Sequence, residues 1–196
     1  MEKGLFIVFE GIDGSGKSSC MESVAQALEA KNRKVIRTAE PTKDAIGLLI
    51  KSSTKFTAEA EALLFVADRA QHTHEIEKWL DEWNIVLCDR YYASTLAYQS
   101  ANLEGNRTDM RWLEALNRRV AIKPDMTFLF DIDPEVGLER VESRGSKSRF
   151  ENLNYLKEVR KRYLKIALKE GFEVIDASKP KEVVFKEVMK RILKLI

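Results

Sequence analysis

Short runs rich in β-branched and aromatic residues recur at Leu5 to Phe9, Lys34 to Arg37, Ile85 to Cys88, Thr127 to Phe130 and Phe172 to Ile175. Each has the length of a strand. Between them, helical periodicity runs through Lys17 to Ala30, Ala58 to Trp83, Met110 to Ala121, Pro134 to Ser143, Tyr155 to Lys169 and Pro180 to Leu195. Strands alternating with helices predict a mostly parallel sheet covered on both faces. Local chemistry supports several boundaries: Asp133-Pro134 reads as an N-cap and first helical residue, Gly171 sits where a helix must stop, and Pro180 reopens one.

There is no repeat, low-complexity tract or linker, so the 196 residues are expected to form a single domain, 1–196. The segment from Ser143 to Arg149 is small, polar and basic, and reads as a loop or lid at about 143–150. Net charge is only +2, which gives no global reason to expect nucleic acid or an anionic membrane as a partner. No apolar stretch approaches the roughly 18 residues of a membrane span. The first residues also lack the pattern of a signal peptide, so a cytoplasmic location is expected. Cys20 and Cys88 lack metal or redox spacing and are read as reduced and buried.

Candidate chemistry begins where the first strand ends, in Phe9-Glu10-Gly11-Ile12-Asp13-Gly14-Ser15-Gly16-Lys17-Ser18-Ser19. Gly11 to Ser18 fits G-x-x-x-x-G-K-S/T between a strand and a helix, the context in which this pattern cradles a nucleoside triphosphate. Glycines let successive N–H groups face inward, Lys17 reaches the β- and γ-phosphates, Ser18 ligates Mg²⁺, and the helix N-terminus adds positive field. Asp13 is out of place in such a loop, because an acid beside polyphosphate is repelled unless it faces something else. After the third strand comes Asp89-Arg90-Tyr91-Tyr92-Ala93-Ser94-Thr95-Leu96-Ala97-Tyr98-Gln99. Asp89 is placed for the Mg²⁺ shell, and Arg90 for a bidentate phosphate contact. Phe65 and Arg69, four apart on one helix, present an aromatic platform and a planar donor to one base. His72 and His74 are two apart and do not share a helix face, so they are read as structural.

These motifs, with Glu40-Pro41-Thr42, Leu63 to His72, and Arg149-Phe150-Glu151 followed by Tyr155, make the chain resemble the thymidylate kinases over essentially its whole length. The resemblance implies a three-layer α/β P-loop kinase with a five-stranded parallel sheet flanked by helices, using ATP and Mg²⁺ to convert dTMP to dTDP. It also implies a homodimer. By the same resemblance, Asp13 meets the acceptor sugar's 3′-hydroxyl and Arg90 holds the dTMP phosphate. Phe65 stacks on thymine, Arg69 donates to its O4, Tyr98 and Gln99 line the pocket, and Phe150 and Tyr155 close it. Some relatives carry a catalytic arginine in the P-loop where this chain has Gly14, so the charge over the β,γ-bridge is expected from the lid, at Arg144, Lys147 and Arg149. Ala39 stands where many relatives have arginine, which leaves Lys43 or Arg37 to help hold the acceptor phosphate. Two alternatives stand beside this: a kinase of another nucleoside monophosphate or deoxynucleoside, and a nucleotide-dependent switch, whose base-reading N-K-x-D is not found in the sequence.

Overall fold

The computed structural model describes residues 4–52, 54–101, 108–143 and 153–196. Among these, five strands are β1 (Leu5–Glu10), β2 (Val35–Ala39), β3 (Ile85–Asp89), β4 (Met126–Asp131) and β5 (Glu173–Asp176). Eight helices accompany them: α1 (Lys17–Glu29), α2 (Ala45–Lys51), α3 (Ala58–Asp81), α4 (Tyr92–Ser100), α5 (Met110–Asn117), α6 (Pro134–Glu142), α7 (Leu153–Glu170) and α8 (Lys181–Ile192). The strands form one sheet in the order β2-β3-β1-β4-β5, and every pairing is parallel. The expected five-stranded, three-layer α/β architecture is therefore present.

β1 shows why its sequence is apolar from Leu5 to Phe9. Phe6 and Val8 pack with Ile76 of α3 and with Val86 and Cys88 of β3 on one face, while Ile7 and Phe9 join Val24 and Leu28 of α1 in the larger cluster. A strand buried on both faces has no polar side to show. Because β1 lies between β3 and β4, the connections diverge above its carboxyl end, where an open α/β sheet leaves a crevice for ligands. The loops leaving β1, β2 and β3 all open there.

Helix ends follow local chemistry. The Thr57 hydroxyl accepts from the Ala60 N–H, Asp109 from Trp112, and Asp133 from Glu135 with Pro134 first in its helix. α2 and α4 were not anticipated as helices. α2 has seven residues, too few to show a period, and the N-cap residue of α4, Tyr91, offers no capping side chain. The expected helix from Met110 ends earlier, at Asn117, whose side chain turns inward to accept from Arg69. Cys20 and Cys88 are buried and free, and no helix among the described residues is long and apolar enough to cross a membrane.

Candidate active site

The loop leaving β1 turns through Gly14 at φ 79° and Gly16 at φ 85°, left-handed conformations that glycine adopts without strain. At Gly14 there is a second constraint, because a Cβ would lie 2.1 Å from the Gly137 carbonyl oxygen of α6. No arginine fits there unless α6 moves, which gives a physical reason for the missing P-loop cation. Ile12 belongs to the loop by its backbone alone, since its side chain is 2 % exposed and packs in the core.

Lys17 is buried at the start of α1, with its Nζ 3.7 Å from Asp13 Oδ1. Burial and then the Arg90 charge push its pKa down, opposed by Asp89, Asp13 and Glu10. Ser18 Oγ donates to Asp89 Oδ2, while Asp89 Oδ1 is buried with no hydrogen-bond partner among the described residues. Two adjacent hard oxygen donors, one of them unspent, suit a small dication. Among the described residues no group of three or more His, Cys, Asp or Glu side chains gathers to hold a metal. That agrees with Mg²⁺, which usually keeps its waters and takes one or two protein oxygens beside substrate phosphates.

Two cavities flank the loop. One, of about 390 Å³, is lined by Gly14, Ser15, Gly16, Ser19, Arg140 and the stretch from Ala177 to Lys181, with Phe185 of α8 behind. Arg140 Nη1 donates to the Gly14 and Ala177 carbonyls at 3.4 and 3.2 Å, which ties α6 to both walls.

The other cavity, of about 310 Å³, is lined by Asp13, Phe65, Arg69, Arg90, Tyr98 and Gln99. It therefore gathers these six as expected, while Tyr155, Arg37 and Lys43 are not in its wall. Arg90 Nη2 donates to Asp13 Oδ1 at 2.7 Å, and its guanidinium lies over the Tyr98 ring, 5.2 Å from the centroid. The acid in the loop thus has two cationic neighbours. Burial works against its ionisation, but the charges of Arg90 and Lys17 outweigh it and hold the carboxyl below its usual range. Arg69 is 1 % exposed. Its Nη2 donates to Glu40 at 2.5 Å and Thr95 at 3.1 Å, and its Nη1 to Asn117 at 2.5 Å. Its Nε is buried without a partner among the described residues, and Phe65 stands one turn before it. Tyr155 donates to the Tyr98 carbonyl at 2.8 Å and so braces the wall from α7.

A glycine-rich phosphate loop borders both cavities, and a family profile described as thymidylate kinase matches residues 9–188. The chain belongs to the thymidylate kinase family. It is 42% identical over 203 residues to a probable thymidylate kinase of Methanosarcina barkeri, covering 99% of this chain and 98% of that one. A probable thymidylate kinase of Archaeoglobus fulgidus is 43% identical, with 95% and 93% covered. A thymidylate kinase of Carboxydothermus hydrogenoformans is 40% identical, with 95% of each chain covered.

In this thymidylate kinase-family chain neither Arg37 nor Lys43 stands in for an arginine at Ala39. Arg37 is turned to α1, bound to Glu22 at 2.9 Å and bidentately to Glu29 at 2.6 and 2.7 Å, away from the acceptor cavity. Lys43 is exposed and not part of the cavity wall. Lys51 of α2 is in the wall, with its Nζ donating to the Pro41 and Thr42 carbonyls at 2.6 and 2.8 Å. His72 sits between Thr38 Oγ1 at 2.6 Å and Glu40 Oε1 at 3.0 Å, in a structural role. Sequence reasoning singled out Glu40-Pro41-Thr42 without giving Glu40 a role, and missed Lys51, Arg140 and the Ala177–Lys181 wall. Only the last carried a usable signal, because it follows the carboxyl end of β5, where open α/β sheets bind ligands. Arg144, Lys147, Arg149 and Phe150 lie outside the described residues.

Proposed function

We propose that this protein is a phosphotransferase that moves the γ-phosphoryl group of ATP to dTMP, giving ADP and dTDP. One observation carries the reading: Asp13 lines one cavity while the next three residues, Gly14 to Gly16, line the other. Two nucleotides so held meet phosphate to phosphate at the loop. A dTMP phosphate oxygen attacks the γ-phosphorus, the bond from that phosphorus to the β,γ-bridging oxygen breaks, and ADP leaves with the negative charge.

The protein's share is positioning and electrostatics. Lys17, buried and deprived of water, neutralises charge on the transferring group, while Arg90 holds the acceptor phosphate between donor and base. Asp13 holds both cations in place and is within reach of the acceptor sugar. Phe65 supplies a stacking face, and the unspent Arg69 Nε–H points to recognition of a base carbonyl. Arg144 and Arg149, from the lid at about 143–150, complete the charge over the bridge. Ser18 and Asp89 would hold Mg²⁺, which when bound shields the β- and γ-phosphate charge. We further propose that the chain works as a single domain, as a homodimer, in the cytoplasm, with no nucleic acid or membrane partner.

A panel of nucleoside monophosphates offered with ATP and Mg²⁺ tests the reading. dTMP should be the preferred acceptor, and ATP turnover should depend on it. A preference for a different monophosphate would transfer the assignment within the kinase class. ATP turnover indifferent to every acceptor would favour a switch.

A further inference from the structure

Glu10 is the last residue of β1 and is wholly buried, yet it lines neither cavity. A carboxylate so placed must be hydrogen-bonded to be tolerated. Its Oε1 accepts from the backbone N–H groups of Tyr91 and Ser94 at 2.8 and 3.2 Å. These amides open α4, whose own N-cap residue supplies no side chain, so Glu10 caps that helix from the neighbouring strand. Its Oε2 accepts from the hydroxyls of Ser94 at 2.6 Å and Tyr163 at 3.0 Å.

The same two hydroxyls face Arg90, whose Nη1 donates to Ser94 Oγ at 3.2 Å and to Tyr163 Oη at 3.4 Å. Each hydroxyl has one proton. The two oxygens are also 2.7 Å apart, so one hydroxyl donates to the other and that one donates to Glu10; both protons are spent away from Arg90, and lone pairs are left to face the guanidinium. Arg90 needs such support, because its backbone has φ 69°, a conformation that side-chain-bearing residues rarely adopt, and its N–H is held by the Phe9 carbonyl at 2.9 Å. The backbone of Arg90 is thus fixed by residue 9, its Nη2 by Asp13, and its Nη1 by residue 10 through Ser94 and Tyr163.

We infer that Glu10 is a positioning residue for the acceptor site: it aims the Arg90 guanidinium by capping α4 and by turning the Ser94 and Tyr163 hydroxyl protons away from it. The inference rests on the proposed role of Arg90 in holding the acceptor phosphate. Glu10→Gln keeps the size of the side chain, and its amide oxygen still caps the helix. Its NH₂ group, however, donates where Oε2 accepted, so the hydroxyl proton that Oε2 had taken loses its acceptor and turns toward the guanidinium.

The test is steady-state kinetics of Glu10→Gln, Arg90→Ala and the double variant. Glu10→Gln should raise KM for dTMP on the order of tenfold, the scale of one charge-assisted hydrogen bond. KM for ATP should stay unchanged, and no further loss should appear once residue 90 is alanine. A Glu10→Gln effect of equal size in both backgrounds, or one falling equally on ATP and dTMP, overturns the inference and leaves the role of Arg90 intact. Arg90→Ala without effect on dTMP use overturns the role of Arg90 and the inference with it. Tyr163→Phe removes one relaying hydroxyl and leaves the helix cap alone, so it decides the matter should Glu10→Gln fail to fold. A raised KM for dTMP supports the inference, and an unchanged one overturns it.

Discussion

Replacing Arg69 by alanine should destabilise the fold as well as impair acceptor binding, because its partner is as deeply buried as it is. The side chains of Arg69 and Glu40 are 1 % and 3 % exposed, and they pair at 2.5 Å. Arg69→Ala leaves the Glu40 carboxylate inside the protein with His72 beside it and no guanidinium. Breaking a buried pair from one side costs about 3–5 kcal/mol. For a chain of this size each kcal/mol is worth about 2–4 °C, so the melting temperature should fall by roughly 6–20 °C. Removing both charges in Arg69→Met/Glu40→Gln should recover much of that loss, since no uncompensated charge remains. Circular-dichroism melts of the three proteins without nucleotide measure this. A single variant within about 2 °C of wild type, or a double variant lower than the single, would refute the claim that desolvated charge sets the cost. The double variant also isolates the base-reading role: its KM for dTMP should rise while that for ATP holds.

Lys51→Ala should raise KM for dTMP several-fold and leave KM for ATP alone, whereas Arg37→Ala should change neither; the reverse pattern in initial-rate assays would return the acceptor-phosphate role to Arg37. Arg144→Ala and Arg149→Ala should show which carries the bridging charge, with kcat lowered on the order of 10²–10³-fold at little cost in KM; unchanged kcat in both would place that charge elsewhere. Asp13 gives a pH signature. Although burial opposes it, Arg90 and Lys17 hold its folded pKa below the ordinary 3.8, so its stabilising contribution is complete above that value and fades as pH falls through the depressed one. The urea-melt stability gap between wild type and Asp13→Asn should be flat near neutrality and shrink only below roughly pH 4, and a gap that widens on acidification would contradict this.

The central strands were legible because β1, β3 and β4 lie between two helical layers and are apolar almost throughout, a pattern that survives without any knowledge of neighbours, whereas the edge strands β2 and β5 show only short β-branched runs beside charged residues. The phosphate loop was legible because its chemistry is local: Gly11 to Ser18 carry their spacing within one turn. What sequence could not show depends on contacts between distant elements. Arg37 and Lys51 are both basic and both near Ala39, but β2 delivers Arg37 to the acids of α1, while the short α2, which shows no period, swings Lys51 over the cavity. Glu10 had no role legible in the sequence, and only the packing of β1, α4 and α7 makes it a cap and a brace. Asp13 was read through family resemblance as a sugar contact. The geometry adds that it holds Arg90 and Lys17, which is an account of why an acid survives in a phosphate loop.

The central claim is that two nucleotides meet across residues 13 to 16, and transfer of label tests it most directly. With ATP carrying ³²P at the γ-position and equimolar dTMP, the account predicts that label appears in the β-phosphate of dTDP in step with ADP. Label released as inorganic phosphate, at a rate indifferent to dTMP, would contradict it.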